Sequence, residues 1–133
     1  MSYKGLREHK IILIAEDNVF NISSLMLAMI YQGSYTPYPI CDIAEVKSLF
    51  DKGIIPDFAI INMRLRENMG KSILEYLALK KIKIPLVLIN ARPSDFENVN
   101  IKGINIVGYL SHPMMGYGKL FKMIEKSTKG ARK

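Results

Sequence analysis

The chain has no tryptophan, a single cysteine and no apolar run that approaches the length of a membrane span. The lone Cys41 excludes an internal disulfide, and we expect it to be a small buried hydrophobe. The first ten residues include several charged side chains, and the apolar run after them is too short for a signal peptide. These absences favour a cytoplasmic protein that does not bind membranes.

Length and composition indicate one domain. The 133 residues are 49% hydrophobic and 23% charged, which is enough for a core and argues against disorder. We expect a single domain over residues 1–133, with a core of about 10–126 and a basic tail at 127–133. The net charge of +7 permits acidic partners. The basic residues are scattered and lack a recognition motif, so nucleic acid binding is not expected.

Apolar runs of strand length recur five times and alternate with helical patterns. The first, third and fourth runs lack polar alternation, which is typical of strands buried on both faces of a parallel sheet. The order predicts a doubly wound α/β fold. The five predicted strands are Ile11 to Ala15, Tyr38 to Cys41, Phe58 to Ile61, Leu86 to Ile89 and Ile106 to Leu110.

Helices are predicted between these strands. Apolar residues from Ile22 to Met29 follow helical spacing. Asp42 and Glu45 form a capping-box pattern at the start of a second helix. A third helix contains Leu74, and a fourth, over 93–103, is predicted on weaker helix formers.

Polar residues follow the predicted strands. Ligands of doubly wound sheets bind at the carboxyl ends of the strands, so these residues should surround one pocket. They are Glu16, Asp17, Asn62, Asn90 and His112.

These landmarks, in this order, resemble the receiver domain of two-component response regulators. The acidic pair Glu16 and Asp17 matches the carboxylates that hold Mg²⁺ in that family. Asn62 stands where the family has its phosphoacceptor aspartate, and Asn90 where it has Thr or Ser. The resemblance implies a flavodoxin-like, five-stranded parallel sheet of order 2-1-3-4-5, flanked by helices.

The end of the fifth predicted strand completes the resemblance. Tyr109 matches the switch aromatic of the family. His112 replaces a lysine, and Pro113 follows it. In the family the lysine–proline peptide is cis, so Pro113 is the cis-proline candidate.

The resemblance implies that phosphoryl transfer is lost. An amide at Asn62 cannot form the acyl phosphate that an ionised carboxylate forms. Losing one carboxylate leaves Glu16 and Asp17 as metal ligands that are weak at best, because Mg²⁺ prefers carboxylate oxygens. We therefore expect a pseudo-receiver that is not an enzyme and needs no cofactor, with at most weak Mg²⁺ binding.

Two arginines follow the pocket residues. Arg64 and Arg92 flank the pocket in the family's geometry, and we expect one guanidinium to bridge Glu16 and Asp17 in place of the metal. The alternatives are that both arginines are solvated, or that they form a small-anion-binding module with backbone amides.

The expected function is phosphorylation-independent signalling through protein–protein interaction in a two-component system or phosphorelay. By resemblance, the output face runs from Pro93 to Thr128. It would bind a signalling protein or an output domain, or a second copy of the chain as a homodimer. A further alternative within the family is a weak residual phosphoacceptor at Asp17.

Overall fold

Five strands and four α-helices alternate along the chain in a computed structural model that describes residues 9–111 and 117–128. The strands are β1 (Lys10–Ala15), β2 (Tyr35–Ile40), β3 (Phe58–Asn62), β4 (Pro85–Ile89) and β5 (Asn105–Leu110). The α-helices are α1 (Val19–Gln32), α2 (Ile43–Asp51), α3 (Met69–Lys80) and α4 (Tyr117–Thr128). Short 3₁₀ turns cover Arg66–Asn68, Pro93–Phe96 and Ile101–Gly103.

All strand pairs are parallel, and the sheet order is β2-β1-β3-β4-β5. This confirms the predicted fold and strand order. The uninterrupted apolar runs of β1, β3 and β4 form the centre of the sheet, where both faces are covered. Residues on one face pack against α2 and α3, and those on the other pack against α1 and α4.

Strand β2 begins three residues earlier than predicted, at Tyr35, and ends before Cys41. The prediction missed it because Pro37 and Pro39 are poor strand residues in general. Both are tolerated here because β2 is an edge strand, where an outward-facing N–H is not needed by a neighbour. Cys41 lies just beyond the strand and is exposed, so its predicted burial was wrong.

Capping interactions set the starts of α1 and α2. The side chain of Asn18 accepts a hydrogen bond from the backbone N–H of Asn21 over 3.0 Å. The side chain of Asp42 accepts one from the N–H of Glu45 over 2.9 Å. The Glu45 carboxylate accepts a hydrogen bond from the N–H of Cys41, one residue before the cap. The capping pattern therefore marks the helix start as the sequence indicated.

The segment 93–103 is not the predicted helix. It forms two 3₁₀ turns, Pro93–Phe96 and Ile101–Gly103, separated by Asn98, which has a positive φ of 63°. A residue in this left-handed conformation interrupts a helix, and asparagine adopts it more readily than most residues.

Helix α4 contacts strands β1 and β2 through polar and aromatic side chains. Glu125 of α4 accepts a hydrogen bond from the Tyr35 hydroxyl over 2.6 Å and pairs with the ammonium of Lys10 over 2.9 Å. Tyr35 also stacks on Phe121, with ring centroids 5.5 Å apart. Helix α4 continues to the buried Thr128, two residues beyond the expected core.

Within residues 9–111 and 117–128, no helix has the length and apolar character required to span a membrane.

Candidate functional site

The predicted pocket residues at the carboxyl ends of β1 and β3 meet at one edge of the sheet. Strand β1 pairs with β3 up to Ala15 and Ile61, and β3 pairs with β4 up to Asn62 and Ile89. Parallel pairing in register brings the carboxyl ends of these strands side by side. The acidic residues after β1 therefore stand beside the last residue of β3.

Glu16 and Asn62 bind each other at this edge. The side-chain amide nitrogen of Asn62 donates a hydrogen bond to Oε1 of Glu16 over 3.0 Å, and both side chains are buried. The other oxygen, Oε2, accepts the backbone N–H groups of Asp17 and Asn18, each over 3.1 Å. A buried carboxylate is stabilised when several N–H groups point at it. Glu16 thus has donors on both oxygens without an arginine.

The Asn62 carbonyl oxygen is also engaged. Its Oδ1 accepts the backbone N–H of Arg64 over 2.8 Å. The amide is therefore held in one orientation, with its NH₂ group towards Glu16 and its oxygen towards the loop after β3. An amide makes both contacts at once, whereas an ionised carboxylate has no hydrogen to donate to Glu16.

The predicted bridge from Arg64 or Arg92 to the acidic pair was wrong. The guanidinium of Arg64 forms a salt bridge with Asp95 instead. Asp95 is buried and also accepts the backbone N–H of Arg92 over 2.7 Å. The reason is local: Asp95 sits in the first turn of Pro93–Phe96, and it reaches Arg64 across the loops after β3 and β4. The side chain of Arg92 is exposed.

Asp17 has a different cationic neighbour. Nε of Arg66 lies 3.8 Å from Oδ2 of Asp17, and the Arg66 side chain is 89% exposed. An ion pair this long and this exposed contributes little to stability.

A cleft of about 500 Å³ opens beside the Arg64–Asp95 pair. Both predicted arginines and the switch-aromatic position line it. The full lining is Arg64, Asn90, Ala91, Arg92, Tyr109, Leu110 and Ser111. Asn90 directly follows β4 and has a positive φ of 59°, and it forms part of the cleft wall.

Tyr109 stands at the rim of this cleft. It is 55% exposed and packs edge-on against Phe96, with ring centroids 6.4 Å apart. His112 and Pro113 lie outside the described residues, so the predicted cis peptide and the pocket position of His112 remain predictions.

The arrangement does not suit Mg²⁺. The metal prefers oxygen ligands with negative charge. Here the NH₂ group of Asn62 faces Glu16, and both Glu16 oxygens already accept hydrogen bonds. Asp17 is left as the one carboxylate of the pair without such donors. Across the described parts of the chain, no cluster of three or more His, Cys, Asp or Glu side chains could hold a metal ion.

Sequence reasoning missed Asp95 and Arg66, although a signal existed for Asp95. An aspartate two residues after a proline is typical of a first helical turn, where it accepts a backbone N–H. The hydrogen bond between Glu16 and Asn62 was also not predicted, because two adjacent carboxylates indicate a cation as their partner and not an amide. Nothing in the sequence marks Arg66.

Comparison with solved structures finds the same fold in receiver domains. The receiver domain of the sensor histidine kinase PA1611 from Pseudomonas aeruginosa PAO1, solved with a magnesium ion in its active site cleft, superposes with a TM-score of 0.69. It is 19% identical over 91% of this chain and 98% of that one. A CheY-like response regulator receiver domain protein from Methanospirillum hungatei JF-1 gives a TM-score of 0.66 at 16% identity, over 92% and 98%.

A third structure is a dimer. The beryllofluoride-activated NtrC4 receiver domain gives a TM-score of 0.69 at 12% identity, over 90% of this chain and 97% of that one. No protein-family model and no curated protein sequence matches the chain. The chain therefore has the fold of response regulator receiver domains over nearly its full length.

Proposed function

We propose that the protein is a receiver-like signalling domain that acts by protein–protein recognition, without phosphoryl transfer and without enzymatic activity. The observation that supports this is the hydrogen bond from Asn62 to Glu16. Asn62 is an amide at the end of β3, where the receiver resemblance implies a phosphoacceptor aspartate. Through this hydrogen bond its NH₂ group stabilises the buried carboxylate of Glu16.

Chemistry supports the same proposal. Transfer to a receiver requires an ionised oxygen nucleophile in line with the leaving group and a cation that neutralises the phosphoryl oxygens. The Asn62 amide carries no charge, and Arg64 already pairs with Asp95. The remaining carboxylate, Asp17, is partly exposed and lies near Arg66, which leaves it as the residual acceptor to be tested.

The test is incubation with acetyl phosphate and Mg²⁺, followed by intact-mass measurement. We expect no gain of a phosphoryl group. Asn62→Asp alone should also accept phosphate poorly, because Asn90 offers no hydroxyl to the phosphoryl oxygens. A base-labile phosphoryl group mapped to Asp17 of the unaltered chain, and lost in Asp17→Asn, would overturn the proposal.

The recognition surface that we propose is the described part of the segment from Pro93 to Thr128. It combines exposed apolar side chains with a row of exposed lysines on α4. The apolar members are Ile101, Val107 and Tyr109, and the lysines are Lys119, Lys122 and Lys126. This charge favours an acidic signalling partner or output domain. A second copy of the same basic chain would meet like charge here, so a homodimer through this face is the weaker form of the proposal.

This surface is tested by affinity capture with and without acetyl phosphate. Partners bound by the unaltered protein should be lost when Lys119, Lys122 and Lys126 are all changed to Glu, and acetyl phosphate should not alter binding. The matched control is Leu79→Glu, an exposed position on α3. Binding that appears only with acetyl phosphate would contradict the proposal.

A second candidate function is small-anion binding in the cleft between Arg64 and Arg92. The observation that favours it is that Nε of Arg64 is buried without a hydrogen-bond partner, although the cleft beside it is open. A phosphate or carboxylate oxygen could accept this donor. Titration with phosphate should then show saturable binding that Arg92→Gln weakens. Arg66→Gln, at an arginine outside the cleft lining, is the control for nonspecific attraction to a basic chain.

A further inference from the structure

Helix α1 has an outer face that is apolar and without charge. None of its 14 residues is Asp, Glu, Lys or Arg, although the chain carries a net charge of +7. Its inner side packs on the sheet through Leu25 and Met29. Five large side chains point away from that core and are between 61% and 91% exposed. We call them the α1 face: Val19, Phe20, Leu27, Ile30 and Tyr31.

Helical spacing makes the α1 face continuous. Phe20, Leu27 and Tyr31 are separated by seven and four residues, so they lie along one line of the helix. Ser23 lies between Phe20 and Leu27 on the same exposed side. A surface helix normally has charged residues here, and this one has small polar residues at most.

The exposed area is large enough for a stable contact. The five side chains together expose on the order of 700 Å². A standard protein–protein interface buries about 800 Å² on each partner, and most exposed apolar patches on monomers are smaller than this face. A helix of this length can therefore supply most of one side of a specific interface.

We infer that the α1 face binds a second copy of this chain across a two-fold axis. Charge selects this occupant. Two chains of +7 repel each other wherever their lysines meet, but on this face no like charges face each other. A charged partner would find no opposite charge to recognise. A two-fold contact needs only a patch that complements itself, and an uncharged apolar helix face meets that requirement.

The neighbouring sheet edge cannot compete for the second copy. Strand β2 lies beside α1, and Pro37 and Pro39 remove two backbone donors from it. Proline on an edge strand opposes strand addition. Pairing of two α1 helices is then the association that this side of the molecule permits.

The test is sedimentation velocity from about 1 µM to about 500 µM protein. We expect a reversible monomer–dimer equilibrium. Leu27→Glu should raise its dissociation constant about 100-fold, because the substitution occurs twice in a two-fold dimer. Leu79→Glu replaces a leucine of similar exposure on α3 and should leave the equilibrium unchanged. Raising NaCl from about 0.05 M to about 0.5 M should strengthen the dimer, since salt screens the repulsion between basic chains.

Cross-linking locates the axis. In a Cys41→Ser background, Ser23→Cys should form a covalent dimer under mild oxidation, whereas Leu79→Cys should not. A chain that stays monomeric throughout, or a dimer that survives Leu27→Glu, would overturn the inference. Equal cross-linking at both positions would overturn it as well. None of these results depends on phosphoryl transfer or on the lysine surface of α4.

Discussion

The side-chain amide of Asn62 donates a hydrogen bond to the buried carboxylate of Glu16 over 3.0 Å, joining the carboxyl ends of β3 and β1. The same amide accepts the backbone N–H of Arg64 through its oxygen. Both polar ends of Asn62 are therefore used. In a carboxylate the first contact would be lost, because neither oxygen carries a hydrogen at neutral pH.

The first prediction concerns removal of that donor. Asn62→Ala leaves Oε1 of Glu16 buried without its side-chain partner, and a buried polar group left unsatisfied costs about 1–3 kcal/mol. We expect the free energy of unfolding in urea to fall by this amount. A matched control is Asn100→Ala, an exposed asparagine with a negative φ whose side chain makes no capping hydrogen bond. Equal effects of both substitutions would contradict a special role for Asn62.

The second prediction concerns metal. Asn62→Asp places a second carboxylate against Glu16, and like charges in a buried site destabilise the fold. The variant should be less stable than the natural chain without metal and should gain several degrees in Tm with millimolar Mg²⁺, since a metal bound to the folded state stabilises it. The natural chain should show nearly coincident melts. A large Mg²⁺ shift in the natural chain would show that Asp17 and Glu16 suffice to hold the metal.

The third prediction uses two glycines. A Cβ on Gly70 would lie 2.9 Å from the backbone oxygen of Asn62 and 2.9 Å from the Met63 sulfur, so α3 packs directly beneath the site. Gly70→Ala should cost about 1–3 kcal/mol through overpacking. Gly118 lies in α4, and a Cβ added there would have no heavy atom within 4 Å. Gly118→Ala should therefore raise the free energy of unfolding by up to about 1 kcal/mol. Urea unfolding of both variants measures the contrast, and a neutral Gly70→Ala would mean that the β3 end is loosely packed.

These tests rest on a fold that the sequence predicted well and a site that it predicted in part. The central strands have uninterrupted apolar runs, so their burial and order followed from pattern. Strand β2 was misplaced because Pro37 and Pro39 are acceptable only at an edge, and edge position is a property of the whole sheet. The convergence of Glu16 with Asn62 followed from parallel topology.

The pairing within the site could not be predicted from the same patterns. Arg64 is followed within the loops by several acidic residues, and its choice of Asp95 depends on the turn Pro93–Phe96 replacing a helix. That turn depends in turn on backbone conformations such as the positive φ of Asn98. Side-chain partners across two loops are decided by distances of a few ångströms, which spacing along the chain does not encode.

The fourth prediction is that the contact of Glu125, in α4, with Tyr35 and Lys10 makes stability depend on pH. Hydrogen bonds from Tyr35 and Lys10 hold the pKa of Glu125 below its ordinary value. Because this pKa is lower in the folded state, ionised Glu125 stabilises the fold above the pKa that it has in the unfolded chain. This stabilisation is lost as the pH falls through the pKa of the folded state. Thermal melts should therefore lose stability on acidification. Glu125→Gln should flatten this acid dependence, and Glu97→Gln, at an exposed position, should not.

At alkaline pH, Tyr35 in the same contact has a pKa that is shifted in the opposite direction, upwards. Burial, and then the hydrogen bond to Glu125, raise the pKa of Tyr35 well above its ordinary value. The unfolded chain loses this proton at about pH 10 while the folded chain retains it, so stability should fall above that pH. Tyr35→Phe should remove that part of the alkaline loss. Glu125 is more than half exposed, so we expect both effects to be modest.

The most direct test of the central claim is an NMR titration that follows the side-chain NH₂ resonances of Asn62 while Mg²⁺ and then acetyl phosphate are added. We predict that these resonances, and those of the backbone amides of Asp17 and Asn18 that point at Glu16, do not shift, because the hydrogen bonds on Glu16 stay intact. Saturable shifts at Asn62 and Asp17 on adding Mg²⁺, enlarged by acetyl phosphate, would show a working metal and phosphoryl site and would contradict it.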